Sequence, residues 1–531
     1  MLLPLCFISV SLNALTLQEG VDEVLSTHPI ILERLNNYNA TLQDLNIAES
    51  QYLPSLEYIG TFARDKTEKP TRASISLTSY EHSLQLTQNL FNGFGTIYEV
   101  DYQKARLLAA ANHYIENAND IAYAFIEQYI KVLKTRELAL IAKESVAFHE
   151  SIFDKVKKLY DSGSTTRSEF EKIDTSLSLA QSNYVVAQNN LDDALFNLER
   201  VLGRFVPVTE IESVKFSGTL PNTMDEMKEF ARMHNPSILV SNYNIKGAEA
   251  QRHLAYKNYY PKIDAYVRKN WANDIGGVEG KEQSTSAGIT LTYNFYRGGA
   301  DEAQVEKSMS QIMKEQELKR DVIRKLDEQG KLSWSAKTYL TQQLEYLKRY
   351  EKTSAKTLEL YQQEYDLGRR TLLDLLIAQN DHVASRSQIV TAGNDLTFAS
   401  YRILDAMGSM VQHVLGSKLG EYTKKVGLPA LETIKINSES NEITVPKVEE
   451  VLVPKLETIL PYKDCFKVIT TTLKIRDNVE TDKKLVSEMS FKSQLVGTYQ
   501  YGDTICPSKV EGIWAKTDKG WVSTEYLKKI K

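Results

Sequence analysis

At 531 residues, with 42% hydrophobic and 25% charged side chains and a mean hydropathy of −0.35, the chain is long enough for several domains and too apolar to be disordered. Its 64 Lys and Arg against 69 Asp and Glu leave a net charge of −5, which disfavours a nucleic-acid surface. No run of about eighteen apolar residues offers a transmembrane helix, and glycine (25) and proline (13) are so scarce that long regular elements are expected.

Met1 to Ala14 read as the apolar core of a secretory signal peptide (1–14), without the usual basic start and with Leu12 standing third back from a cut after Ala14. Cys6 is poorly placed for lipidation, because small residues normally precede an acylated cysteine. The other two cysteines, Cys465 and Cys506, lie 41 residues apart. They suit either one disulfide in an oxidising compartment or two unrelated thiols.

After Pro54, Leu56, Tyr58 and Phe62 begin an alternating stretch, and Leu84, Leu86 and Leu90 share one face of a second, opposite Ser83, Gln85, Thr87 and Asn89. Period two over about ten residues predicts strands with one apolar and one polar face. No proline then occurs until Pro207, and no glycine between Gly95 and Gly163. Within that gap Leu107, Ala111, Tyr114/Ile115, Ala118, Ile121/Ala122, Phe125/Ile126, Tyr129 and Leu133 recur at helical spacing. The expectation is a rod roughly 95 Å long, too long for one globular domain. Leu198, Val201 and Leu202 beside Gly203 predict core packing before a helix stop.

The order then repeats. His28-Pro29 and Tyr52-Leu53-Pro54 return as Asn235-Pro236 and Tyr259-Tyr260-Pro261, a shift of 207 residues. Ile263, Ala265 and Val267, then Ile289, Leu291, Tyr293 and Phe295, alternate as the earlier strands do. From there the shift is 205: Leu84, Leu86, Phe91 and Gly93 map onto Ile289, Leu291, Tyr296 and Gly298. Tyr160-Asp-Ser-Gly163 maps onto Tyr365-Asp-Leu-Gly368, and Asn189, Leu191, Ala194 and Gly203 onto Asn394, Leu396, Ala399 and Gly408. Pro261 to Pro429 is again free of proline. The chain is an internal duplication, with repeats at 15–205 and 206–415, each reading helix, two strands, very long helix, turn, second helix.

Four strands cannot close a membrane barrel alone, since the smallest bacterial barrels have about eight. The strands therefore imply an oligomer, eight strands from a dimer or twelve from a trimer.

Over about 15–415 this pattern resembles the TolC family of outer-membrane efflux proteins. Its most specific part, Tyr365-Asp-Leu-Gly-Arg-Arg370-Thr-Leu-Leu-Asp374-Leu-Leu, is similar to the family's turn between the helices of the second periplasmic hairpin. The resemblance implies a homotrimer with a twelve-stranded barrel in the outer membrane, continued by a twelve-helix periplasmic tunnel. It also implies a periplasmic adaptor and an inner-membrane ABC or RND transporter as partners, and neither catalysis nor a cofactor.

In that family the periplasmic end is a coiled-coil iris. Asp374 aligns with an aspartate of the constricting ring, where three facing carboxylates would favour cations and raise the ring's proton affinity. Ile377 stands where the family often has a second acid, so one acidic ring with an apolar ring beside it is expected. Tyr365 and Arg370 align with residues that latch the closed state, and Glu169 with their acidic partner. Glu169 follows Gly163 by six residues, as Asp374 follows Gly368. Read without the family, these are ordinary charges at helical turns.

Beyond Gly416 the texture changes. Four of the thirteen prolines fall between Pro429 and Pro461, which reads as an extended linker, 416–462. From 463 to 531, Leu473-Lys-Ile-Arg476, Leu495-Val-Gly-Thr-Tyr-Gln-Tyr-Gly502 and Gly520-Trp-Val-Ser-Thr-Glu-Tyr-Leu527 resemble a bacterial SH3-like domain. That resemblance encloses both Cys465 and Cys506 and implies a peptidoglycan contact, with Trp514 and Trp521 as the aromatic candidates. The alternative is a small packing module in which a tryptophan fills the core.

The eight histidines show no zinc spacing, and no P-loop, dinucleotide fingerprint or Gly-x-Ser-x-Gly elbow is present. The expected protein is mainly α with membrane β. It is an outer-membrane exit duct for drugs or type I secreted proteins, with outer-membrane lipid around its barrel. A reading of another class, a non-pore periplasmic tether or adhesin scaffold, would have no need of four amphipathic strands.

Overall fold

The computed structural model describes residues 14–70 and 72–416, together with the backbone of eight short strands between 466 and 529. It divides into two units, Met1–Thr433 and Ile434–Lys531.

The first unit runs α1 (Leu17–Thr27), α2 (Pro29–Ser50), β1 (Ser55–Lys69), β2 (Arg72–Asn92), α3 (Gly95–Asp161) and α4 (Arg167–Leu202). It then repeats as α5 (Met224–His234), α6 (Pro236–Ala255), β3 (Lys262–Asn273), β4 (Lys281–Thr292), α7 (Ala300–Asp366) and α8 (Leu372–Met407), and ends in α9 (Met410–Leu415). The long helices α3 and α7 have 67 residues each, and α4 and α8 have 36 each. At the α-helical rise, each long helix spans about 100 Å. Their boundaries keep the 205-residue shift at both ends.

Equivalent residues also cap equivalent helices. The hydroxyls of Thr16 and Thr223 accept from the backbone of Glu19 and Glu226, and those of Thr166 and Thr371 from Glu169 and Asp374. Gly203 and Gly408 end α4 and α8 with φ of +86° and +71°, a conformation that favours glycine. The opening helix of each repeat proves to be two. His28 and Asn235 adopt extended backbone before a proline, end one helix and cap the next, where Pro29 and Pro236 need no N–H partner.

The four long strands form one antiparallel sheet in the order β1-β2-β3-β4. Leu56 pairs with Leu86, Tyr58 with Leu84 and Phe62 with Tyr80; across the repeat boundary Leu86 pairs with Val267; in the second hairpin Ile263 pairs with Leu291 and Ala265 with Ile289. Because side chains alternate, these apolar residues share one face and the Ser, Thr, Gln and Glu residues share the other. The apolar face is open: Phe62 is 69% and Ile289 70% exposed. Among the described residues, the outer edges of β1 and β4 are unpaired.

The main core lies beside the α1 and α9 helices. Ala111, Tyr114, Ala118, Ala122, Phe125, Ile126, Tyr129 and Leu133 form the expected buried stripe of α3 and pack with Leu198, Val201 and Leu202 of α4. Gly20 of α1 is required by this packing, since a Cβ there would stand 2.2 Å from Cζ of Phe125. The Tyr129 hydroxyl lies 2.8 Å from the Leu15 carbonyl and 2.7 Å from that of Glu212, tying the first residues of the repeat to the inter-repeat segment.

In the second unit β5 (Phe466–Val468), β6 (Thr472–Arg476), β7 (Leu495–Gln500), β8 (Thr504–Ile505), β9 (Lys509–Glu511), β10 (Trp514–Lys516), β11 (Trp521–Ser523) and β12 (Leu527–Lys529) form two antiparallel sheets. Their orders are β7-β6-β11-β10-β9 and β12-β5-β8. The stretch from Gly520 to Leu527 contributes to both sheets, through β11 and the start of β12. Residues 1–13, the expected linker (416–462) beyond Gly416, and Cys6, Cys465 and Cys506 lie outside the described residues.

Candidate functional site

Three features of the first unit concentrate chemistry: the hairpin tips, the amphipathic sheet, and a group of carboxylates between the repeats.

At each tip the chain reverses through a glycine of positive φ, Gly163 (+73°) and Gly368 (+68°). Gly163 and Ser164 donate to the carbonyls of Tyr160 and Leu159, and Gly368 and Arg369 to those of Tyr365 and Glu364, so both turns satisfy the last carbonyls of their helices in one way. Threonine then caps the outgoing helix. The Thr371 hydroxyl donates to Oδ2 of Asp374 (2.8 Å) and accepts from its backbone N–H (3.3 Å). Thr165 donates to the Glu169 carboxylate, and Thr166 accepts from its N–H. Both acids therefore sit in the first turn of a helix, where the helix dipole favours negative charge.

The structure brings Tyr365 close to Glu169. Tyr365 packs against the buried cluster of Ile152, Val156, Ile173, Leu372, Leu375 and Leu376, which joins the two hairpins. Burial, then the carboxylates of Glu169 and Asp366, push its hydroxyl above the usual 10. Arg370 does not reach Glu169 within the chain. Its Nε donates to Oε2 of Glu364 (2.7 Å), and its guanidinium lies 4.1 Å from the centre of the Tyr361 ring. Ile377 is half exposed on α8, one turn beyond Asp374. Lys155 of α3 pairs with Asp366 at 3.0 Å, a link between hairpins that the motif did not contain.

Higher up, the repeats meet through a carboxylate group that sequence reasoning missed. Burial, then Asp120 of α3, pushes Asp405 of α8 from 3.8 up to about 7; Gln329 of α7 donates to its Oδ2 at 2.5 Å. Burial and Glu116 raise Asp120 to about 6. Burial also works against charge on Glu116, but hydrogen bonds with His113 and Ser237 overcome it and hold its carboxyl below 4.5. An acid inside an apolar helical run, such as Leu404-Asp405-Ala406-Met407, was the available signal.

Where the sheet joins the helices, Phe91, Phe94 and Tyr260 meet edge to face at 5.1, 6.3 and 5.6 Å between ring centres. Among the described residues, no three His, Cys, Asp or Glu side chains are grouped to hold a metal ion. No described helix is long and apolar enough to cross a membrane. Trp514 and Trp521 open β10 and β11, with Lys516 opposite Trp521.

A family model described as "Outer membrane efflux protein" matches residues 20–204 and 229–409. The chain is 24% identical over 385 residues to the outer membrane efflux protein BepC of Brucella suis, covering 72% of this chain and 83% of that one. It is 22% identical over 413 residues to the alkaline protease secretion protein AprF of Pseudomonas aeruginosa, covering 74% and 83%. In fold it is similar to the CmeC outer membrane channel of Campylobacter jejuni, with a TM-score of 0.67 and 14% identity over 78% of this chain and 90% of that one.

Proposed function

This chain belongs to the outer membrane efflux protein family and is an outer-membrane channel protein; we propose that it is the exit duct of a tripartite export system. Three copies would join their strands in a twelve-stranded barrel and their long helices in a periplasmic tunnel, which receives cargo from an inner-membrane ABC or RND transporter through a periplasmic adaptor. The carrying observation is the single sheet with an open apolar face and two unpaired edges, continued directly into helices of 67 residues. In lipid such edges must be paired, and closure among copies does that. No catalytic step belongs to this role.

The tip is read as the gate. Asp374 would form the acidic ring with Ile377 beside it, and Tyr365, Arg370 and Glu169 would hold the closed state. An ion pair between exposed charges is worth little in stability, which suits a contact that an adaptor must break. One relative is named for efflux and another for protease secretion, so the cargo class stays open between drugs and type I proteins. The C-terminal strands are read as an SH3-like domain contacting peptidoglycan through Trp514 or Trp521, and Cys465 and Cys506 as its disulfide.

The test is the native mass of protein extracted by detergent from separated outer membranes, followed by conductance in planar bilayers. Three chain masses of 60.3 kDa and a defined conductance are expected. Recovery without detergent, as a monomer or dimer, would return the chain to the tether reading.

A further inference from the structure

We propose that one face of the five-stranded sheet in the second unit binds a carboxylate-bearing glycan, the peptidoglycan strand, through a row of cations interrupted by Trp521. The proposal rests on the reading of this unit as a wall-binding domain and adds the face, its charge requirement and the residues that carry it.

The row follows from register. Lys509 of β9 pairs with Lys516 of β10, Lys516 with Trp521 of β11, and Trp521 with Arg476 of β6. Opposed residues of antiparallel strands share a face, so these four stand side by side on one face of the sheet. At the usual spacing of strands the row is about 14 Å long. Positions two residues along a strand share its face, which adds Trp514 of β10 and Lys474 of β6. One acid, Glu511, stands among them, opposite Trp514.

The other face has a different composition. Val510, Ala515 and Val522 form its adjoining row, and Leu473 and Ile475 of β6 fall on the same side. Apolar residues on one face and polar residues on the other mark a sheet that covers a core on one side only. Both tryptophans fall on the polar face, so neither is placed to fill such a core.

The needs of the fold do not account for these cations. Like charges directly opposed across a sheet are destabilising, yet Lys509 opposes Lys516. A lysine on the edge strand β9 guards against pairing with another chain, but β10 and β6, which carry Lys516 and Arg476, lie inside the sheet. An anion bound along the row relieves the repulsion. Between 463 and 531 Lys and Arg outnumber Asp and Glu by 13 to nine, in a chain whose net charge is −5.

The ligand follows from how the residue types alternate. Trp521 has a cationic position on either side, which suits a chain of sugar rings that offers apolar ring faces to an indole and carboxylates to Lys and Arg. Membrane-surface elements gather their apolar residues on a side of their own, whereas here cations separate them. The linker also starts among helices, since Met410, Val411 and Leu415 of α9 are built into the main core. In the channel reading those helices are periplasmic, the compartment of the wall.

The test is sedimentation of detergent-extracted full-length protein with purified peptidoglycan sacculi, compared with sacculi whose free carboxylates have been converted to amides. The wild type should bind native sacculi several-fold more than amidated ones and lose that preference as salt rises. Lys509→Gln with Lys516→Gln should cut binding to native sacculi several-fold without lowering the unfolding temperature, because it removes a repulsion; a merely structural role predicts the reverse. Lys467→Gln with Lys528→Gln removes the same charge from an opposed lysine pair of the other sheet and should leave binding unchanged. Trp521→Ala should weaken binding to native and amidated sacculi alike. Equal binding of the wild type to both kinds of sacculi, or equal losses in the two lysine double variants, overturns the charged row and leaves the wall contact standing. Binding to neither kind, or only to nanodiscs of anionic phospholipid, overturns both.

Discussion

Arg370 turns back to Glu364, 2.7 Å away on its own hairpin, while Glu169 on the neighbouring hairpin is held by Thr165 and Thr166. The two charges expected to form a latch are thus each provided for inside one chain. A latch would have to draw Arg370 off Glu364 toward another acid when copies assemble. Arg370→Ser and Glu169→Gln should then each raise the frequency or size of open-channel events in planar bilayers, and Glu364→Gln should not. If Glu364→Gln alone reproduces Arg370→Ser, the arginine only braces its own turn. Thermal stability should change little in all three, as for exposed ion pairs generally.

Asp374 has two candidate tasks, and one substitution separates them. As a cap partner it accepts from the Thr371 hydroxyl, which needs an oxygen but no charge. As a ring member it supplies negative charge to a constriction. Asp374→Asn keeps the acceptor and should still reduce cation preference in bilayer recordings. Asp374→Ala should do the same and also weaken the helix start by about 0.5–1 kcal/mol. Unchanged ion preference in Asp374→Asn would leave only the capping role.

Tyr129 should matter for folding and not for transport. Its hydroxyl stands between the carbonyls of Leu15 and Glu212, the first of them buried, and its ring is fully enclosed. Tyr129→Phe removes the one O–H that the two carbonyls share, leaving that of Leu15 with only the Glu212 N–H, at a cost of about 1 kcal/mol. A lowered denaturation midpoint with unchanged conductance is expected. An unshifted midpoint would mean that the carbonyls find other partners.

The repeat, the strands and the long helices were legible because each rests on a local pattern. Period two marked Leu84, Leu86 and Ile289, helical spacing marked Tyr114 to Leu133, and proline and glycine marked the ends. The break at His28-Pro29 was visible as a repeated dipeptide, but two caps meeting at one residue depend on backbone angles that residue types alone do not fix. Arg370 shows the other limit. Its motif resembled a latch, yet its neighbours within the chain, Glu364 and Tyr361, are set by how the turn folds back. Asp405 was missed because its character comes from burial and from Asp120, with Gln329 bonded to it, all of which arise only after α3, α7 and α8 pack.

The two faces of the sheet should respond oppositely to charge. Ile289 lies on the open apolar face and Ser286 on the polar one, three residues away on the same strand. In a barrel, Ile289→Lys would place an ammonium in lipid, costing about 2–4 kcal/mol near the midplane, while Ser286→Lys would face water in the lumen. The trimer of Ile289→Lys should dissociate at a lower temperature in a heated gel series. Ser286→Lys should leave the trimer intact and shift ion preference toward anions. Equal sensitivity at both positions would argue against a lipid-facing side.

Asp405 gives the fold a dependence on pH whose sign can be worked out. Its folded-state value, about 7, lies above the ordinary 3.8, so between those values the folded protein holds a proton that the unfolded chain has lost. Stability from this group is therefore complete below about 4, falls as pH rises, and is lost by about pH 7. Asp120 acts in the same direction over a narrower window ending near 6. Glu116, held below its ordinary value, acts oppositely and only in acid, which restricts a clean measurement to pH above 5. Asp405→Asn preserves an acceptor for Gln329 and removes the titration. The variant should match the wild type near pH 5 and exceed it at pH 8 by on the order of 1–2 kcal/mol in thermal or urea unfolding of the extracted trimer. Parallel pH profiles for the two proteins would mean that Asp405 is ionised in the folded state throughout, and that the α3–α8 contact tolerates two adjacent charges.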